Sequence, residues 1–278
     1  MDRMIEVGRV EPRRSDAVPC SRLGLGMEKL DRDAFDPHQV YDKVAALGVK
    51  WIRLQSGWQK TERAEGVYDF SWLDEQVDAL RSRGLIPWLC LCYGNALYDD
   101  LAGEYLGAVG CPPIRTERAL RAWLAYVEKT VAHFAGRIGY YEIWNEPEGS
   151  CTWRPAGDPA EYAAFCVQTG KVIKATDPRA KVVTGSHYQD SMAVLNAELA
   201  NGIMEIADAI SYHSYHYDEA VSMRRVRAFK ALTRAYGREL ETRAAPNRKT
   251  AGAARSAASI PIRPCKPSTF CATPLRKF

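Results

Sequence analysis

Apolar and polar positions change period repeatedly along this chain, and the changes take turns. Leu23-Gly24-Leu25-Gly26-Met27 reads as a first strand, and the next helix runs from about Pro37 to Leu47, starting after Asp36 with proline in its first turn and stopping at Gly48. Val49 to Leu54 predicts strand two, and Trp72 to Arg83 an amphipathic helix capped by Ser71 and ended by Gly84. Leu85 to Cys92 predicts strand three, Thr116 to Phe134 a third helix, and the aromatic, β-branched run from Gly139 to Pro147 strand four. Pro159 to Ala175, Ser191 to Ala200 and Ala220 to Tyr236 predict three more helices. Ala180 to Thr184 and Ala209 to His213 predict strands five and six between them.

Strands alternating with helices of this length imply parallel strands joined by right-handed crossovers. The predicted fold is therefore α/β, a TIM (β/α)8-type barrel, and six β/α units are visible. A seventh strand is due near Leu240, but the sequence there turns to Ala, Arg, Pro, Ser and Thr, with prolines at 246, 261, 264, 267 and 274 that interrupt a strand or a helix. The expectation is a barrel truncated after about six units: residues 1–22 an N-terminal extension, 23–241 the incomplete barrel, 242–278 a basic, disordered tail. Strands one and six would then be unpaired edges, predicting self-association. A change of coding frame near Leu240 would account for the abrupt shift.

Charge sharpens that boundary. The net charge is +4, yet no acidic residue follows Glu241, while arginine and lysine recur from Arg243 to Lys277. The tail lacks a helical stripe or aromatic interleaving, so no nucleic-acid partner is expected. The charged N-terminus and the absence of a long apolar run predict a cytoplasmic protein without a membrane partner, or one fragment of a larger product. Eight scattered cysteines read as free thiols.

Within Gly139-Tyr140-Tyr141-Glu142-Ile143-Trp144-Asn145-Glu146-Pro147, period-two alternation puts Tyr140, Glu142, Trp144 and Glu146 on one face, and Pro147 ends the strand. Glu146 then lies at a strand's C-terminal end, where such barrels keep active sites; Glu142, deeper on that face, needs a buried partner. Alternate strands share interior layers, so strands two, four and six can bring Arg53, the Glu142 to Glu146 face, His213 and Tyr215 together. A buried Arg53 would pair with a carboxylate and hold the geometry. Trp58, Trp88 and Trp144 are candidate flat surfaces, each equally suited to core packing. His213-x-x-His216 invites a metal reading, but on a strand the two histidines face opposite sides, so no metal and no cofactor is expected.

Gly48-Val49-Lys50-Trp51-Ile52-Arg53, Gly57-Trp58, Gly66-Val67-Tyr68-Asp69-Phe70-Ser71-Trp72-Leu73-Asp74, Ile143-Trp144-Asn145-Glu146-Pro147 and His213-Ser214-Tyr215 together resemble the retaining glycoside hydrolases of clan A, with the closest look to family 39, which includes β-xylosidases. The resemblance runs from about Leu23 to Tyr236. It implies a carbohydrate substrate, Glu146 as general acid/base, Asn145 on the sugar 2-hydroxyl, and Arg53, His213 and Tyr215 around the cleavage subsite. It also implies a nucleophilic glutamate at the end of strand seven, which falls in the tail without Asp or Glu; Glu239 and Glu241 are the remaining candidates, at the strand's start. Two readings stay open: a β-xylosidase-like hydrolase, and a catalytically silent, carbohydrate-binding remnant.

Overall fold

The computed structural model describes residues 8–9, 11, 13–104, 107–188, 192–215, 218–244 and 273–274. Seven parallel strands follow one another around a curled sheet: β1 Leu23–Gly26, β2 Trp51–Gln55, β3 Ile86–Leu91, β4 Tyr140–Asn145, β5 Lys181–His187, β6 Ala209–Tyr212 and β7 Glu241–Ala244. Each pairs with its sequence neighbour. Between them run α1 Tyr41–Ala46, α2 Ser71–Arg81, α3 Glu117–His133, α4 Pro159–Thr176, α5 Met192–Ala200 and α6 Glu219–Ala235.

The helices start where short polar side chains satisfy orphan N–H groups. Thr116 Oγ1 accepts from Ala119 N at 3.1 Å, Asp158 Oδ1 from Ala160 N at 2.8 Å, and Asp218 Oδ1 from Ala220 N at 2.7 Å. Ser71 does not cap α2 as the pattern predicts; it is the helix's first residue, and its N–H donates to Asp69 Oδ1. The apolar stripes of the helices meet the outer faces of the strands in one continuous core that includes Leu73, Val77, Trp123, Tyr126, Phe165 and Ile173. The inside of the curl holds a smaller cluster, Trp88, Val183 and Ala209 with Tyr140 against them. Strands β2, β3, β4 and β6 are thus covered on both faces, which explains their near-continuous burial, while β1 is only partly buried.

The seventh strand corrects the sequence reading. Glu241–Ala244 pairs parallel with β6 in the register Ala209↔Glu241 to Tyr212↔Ala244, so the ordered sheet passes the expected boundary at residue 241. Arg243, counted with a solvated tail, is buried inside the curl. Its guanidinium lies 3.8 Å from the Tyr140 ring centroid, 4.7 Å from Trp51 and 5.1 Å from Trp88, with Glu241 Oε1 2.9 Å from Nη2. Cation–π attraction in a desolvated setting, at about 2 kcal/mol per good contact, overrides the low strand propensity of Glu-Thr-Arg-Ala. Strands one and six are likewise not open edges: β6 carries β7, and the backbone of Thr273–Pro274 pairs parallel with β1. No ladder joins β7 to Thr273–Pro274 among the described residues.

Candidate active site

The C-terminal ends of β2, β4 and β6 converge, as strand parity predicts. Arg53 is buried, 1% exposed, and its guanidinium donates to Glu142, Asn145 and Glu28. Nε donates to Glu142 Oε2 at 2.6 Å, Nη2 to Asn145 Oδ1 at 2.9 Å and Nη1 to Glu28 Oε1 at 3.2 Å. The carboxylates around it raise the Arg53 pKa further, against the burial that opposes its charge. Glu142, fully buried, thus finds the partner its position requires. Ser211 Oγ lies 2.5 Å from both Glu142 Oε1 and Thr184 O and donates to one of them.

Two residues beyond Glu142 on β4 the pattern breaks. Trp144 has φ +67° and Glu146 φ +53°, so the strand is kinked by two left-handed residues. Trp144 therefore leaves the face predicted for it. Its ring lies among Trp123, Trp153 and Phe165 at centroid distances of 6.0, 5.7 and 6.1 Å, on the helix side. Asn145 turns inward to Arg53 instead. Glu146 Oε1 lies 2.7 Å from His213 Nδ1 and accepts from Tyr215 OH at 2.8 Å. Burial and the facing Glu146 push the Tyr215 phenol well above its ordinary value, so it stays a donor.

Trp58 lies elsewhere and is not an open platform. Its ring is 1% exposed, stacked against Tyr98 at 5.3 Å and Tyr126 at 5.6 Å, and Nε1 donates to Glu62 Oε2. Trp88 is buried in the inner cluster. His216 falls outside the described residues. Among the described residues no group of three or more His, Cys, Asp or Glu could hold a metal, and no helix is long and apolar enough to cross a membrane. Among the described residues Cys90, Cys92, Cys111, Cys151 and Cys166 form no disulfide; Cys265 and Cys271 lie outside the described residues.

Glu239 and Glu241 stay away from Glu146. Glu239 pairs on the surface with Lys230 and Arg234, and Glu241 opens β7 beside Ala209, below the Ser211 layer. Sequence reasoning missed Glu28, Gln55 and Tyr93. Glu28 follows β1 by two residues, a position that carries a signal in a barrel, but no motif surrounds it. Gln55 shares the inward face of Arg53, and its Nε2 donates to Tyr93 OH at 2.8 Å.

A second buried ionic group stands beside the loop after β4. His187 Nδ1 lies 3.4 Å from Glu148 Oε2 and Nε2 3.1 Å from Glu198 Oε2. Despite burial, the two carboxylates push His187 up to about 10, so it is an imidazolium at neutral pH.

Comparisons with known proteins agree with the fold. The profile of glycoside hydrolase family 42, described as Beta-galactosidase, matches residues 31–96. Among solved structures, the GH39 beta-xylosidase from Caulobacter crescentus is similar with a TM-score of 0.65 and 21% identity, covering 87% of this chain and 56% of that one. A family 39 glycoside hydrolase from the gut symbiont Bacteroides cellulosilyticus WH2 gives 0.63 and 17%, covering 80% and 48%. Xylanase 10B from Thermotoga petrophila RKU-1 gives 0.57 and 16%, covering 80% and 68%. No curated protein matches by sequence. The likeness to these glycoside hydrolases shows the fold alone, and the chain spans about half the length of the family 39 structures.

Proposed function

We propose that this chain is an O-glycosyl hydrolase of the retaining, β-xylosidase-like kind, with Glu146 as general acid/base. The observation that carries the reading is the double contact on one Glu146 oxygen, from His213 Nδ1 at 2.7 Å and Tyr215 OH at 2.8 Å, at the mouth of the curled sheet. A carboxyl held in this way is oriented before substrate arrives, which is what proton transfer to a leaving oxygen needs. Asn145 is oriented in turn by Arg53, leaving its amide N–H groups to meet a sugar hydroxyl. Arg53, His213 and Tyr215 frame the subsite. The fold likeness to beta-xylosidases supports a carbohydrate as the substrate class.

The test is release of aryl alcohol from β-xylosides whose leaving groups span a range of acidity. Glu146→Gln should lower kcat/KM by roughly 10²–10⁴-fold on a poor leaving group, and far less on dinitrophenolate, which needs no proton to depart. Equal loss on both substrates would sink the acid/base assignment. A second reading, a silent remnant that binds sugar without cleaving it, is favoured by one observation: β7 ends at Ala244 and no Asp or Glu follows it in the sequence. Sugar binding by a folded chain, without turnover on any substrate, would establish that reading.

A further inference from the structure

We propose that Arg225, on α6, is a positioning residue for the proposed acid/base: it fastens the ends of β5 and β6 so that His213 and His187 hold the Glu146-Pro147-Glu148 turn from two sides. This rests on the hydrolase reading and deepens it. Arg225 is buried, 7% exposed, with its guanidinium 5.4 Å from the Tyr212 ring centroid and 5.1 Å from that of Phe229. Nη1 donates to His213 O at 3.0 Å, and Nη2 reaches His187 O at 3.4 Å.

The strands need this clamp because their regular pairing gives out here. β5 and β6 pair irregularly between Thr184 and His187, and the last pair of β6 with β7 is Tyr212↔Ala244. His213 lies one residue past that pair. Its N–H donates to His187 O at 2.9 Å, but no pair with β7 extends to it among the described residues. A buried carbonyl needs a donor, and the planar guanidinium supplies one to each strand end. One residue on, Ser214 Oγ lies 2.5 Å from Ser222 Oγ, so α6 fastens this stretch twice.

The two fastened histidines act on one turn. His213 Nδ1 lies 2.7 Å from Glu146 Oε1. Two positions on, Glu148 Oε2 lies 3.4 Å from His187 Nδ1, and Glu148 Oε1 accepts from Tyr188 N at 2.6 Å. His187 Nε2 faces Glu198 of α5 at 3.1 Å, and all three side chains of this second group are buried. The turn is thus held through a carboxylate on each side of Pro147, and both holds depend on where β5 and β6 end. Misplacing a catalytic group by about 1 Å can cost about 10²-fold in rate, so a residue of the helix layer can govern proton transfer.

The experiment compares the full chain with Arg225→Met and Arg225→Lys, each checked for folding by circular dichroism, on β-xylosides of graded leaving group. Arg225→Met should lower kcat/KM by roughly 10–10²-fold on a poor leaving group and by less than about threefold on the dinitrophenyl glycoside. Arg225→Lys, with a single ammonium in place of the planar fork, should fall between. Histidine ring NMR signals, assigned through His213→Gln and His187→Gln, read the clamp without turnover. Both should move in Arg225→Met, whereas Glu146→Gln should move that of His213 alone. Where Arg225→Met does not fold, Arg225→Lys carries both readouts in the same directions. Unmoved ring signals in a folded variant, or equal loss on both leaving groups, overturns the Arg225 assignment and leaves the hydrolase reading standing. A folded parent chain that cleaves no glycoside overturns the hydrolase reading and, with it, the role in proton transfer.

Discussion

Replacing Arg53 by methionine tests the idea that this guanidinium is the electrostatic centre of the site. Methionine keeps most of the length and removes the charge. Glu142, fully buried 2.6 Å from Nε, would then face Ser211 without the cation. Two unit charges about 4 Å apart at an effective dielectric of 20 attract by about 4 kcal/mol, and removing one partner of a buried pair costs about 3–5 kcal/mol. The exposed i,i+4 pair Arg121–Glu117 should contribute only about 0.3–0.5 kcal/mol. Equilibrium urea unfolding measures both. Arg53→Met should lose about 4 kcal/mol, lowering the melting temperature by about 10 °C at this chain length. Adding Glu142→Gln should recover at least about 2 kcal/mol, because the stranded charge is gone. A loss below about 1 kcal/mol, comparable to the surface pair, would refute the reasoning.

Two further outcomes separate core from site. Trp58→Ala should cost about 3–5 kcal/mol in unfolding experiments while KM for a cleaved glycoside stays unchanged, since Tyr98 and Tyr126 already cover both ring faces; a raised KM with unchanged stability would restore Trp58 as a platform. His187 binds its proton more tightly when folded, at about 10 against an ordinary 6.5. Its contribution is complete below pH 6.5 and is lost as the pH rises to about 10. Unfolding free energy measured across that window should fall for the parent chain and stay flatter for His187→Gln; parallel curves would show that His187 is not the titrating group.

Much of the fold was legible because burial writes a period. Strands covered on both faces give apolar runs, and helices covered on one face give amphipathic stripes, so six units and the convergence of Arg53, Glu142, Glu146, His213 and Tyr215 followed from order and parity. The seventh strand was hidden because its stability is not in its pattern. Glu-Thr-Arg-Ala is a poor strand until Arg243 meets Trp51, Trp88 and Tyr140 from three other strands. Trp58, between Gly57 and polar neighbours, looks like a rim residue, and only tertiary contacts with α3 reveal it as core. Glu28 had no motif because its partner, Arg53, is remote in sequence.

The left-handed pair in β4 explains how neighbouring residues share one site. On a regular strand Asn145 and Glu146 would point to opposite faces, and only one would enter the mouth. With Trp144 at φ +67° and Glu146 at φ +53°, Asn145 reaches Arg53 while Glu146 reaches His213 and Tyr215. Left-handed backbone at a non-glycine residue costs about 1–2 kcal/mol, so the two together cost about 2–4 kcal/mol. The surroundings offset this. The Trp144 indole is fully buried, a transfer worth about 3 kcal/mol or more, edge-on to Tyr93, Trp123, Trp153 and Phe165, and its Nε1 donates to Thr152 O at 2.7 Å. Glu146 O in turn accepts from Gly149 N and Thr152 Oγ1. The aromatic core behind β4 thus holds the bend that aims the Glu146 carboxylate, which ties the geometry of the proposed site to packing on the far side of the sheet.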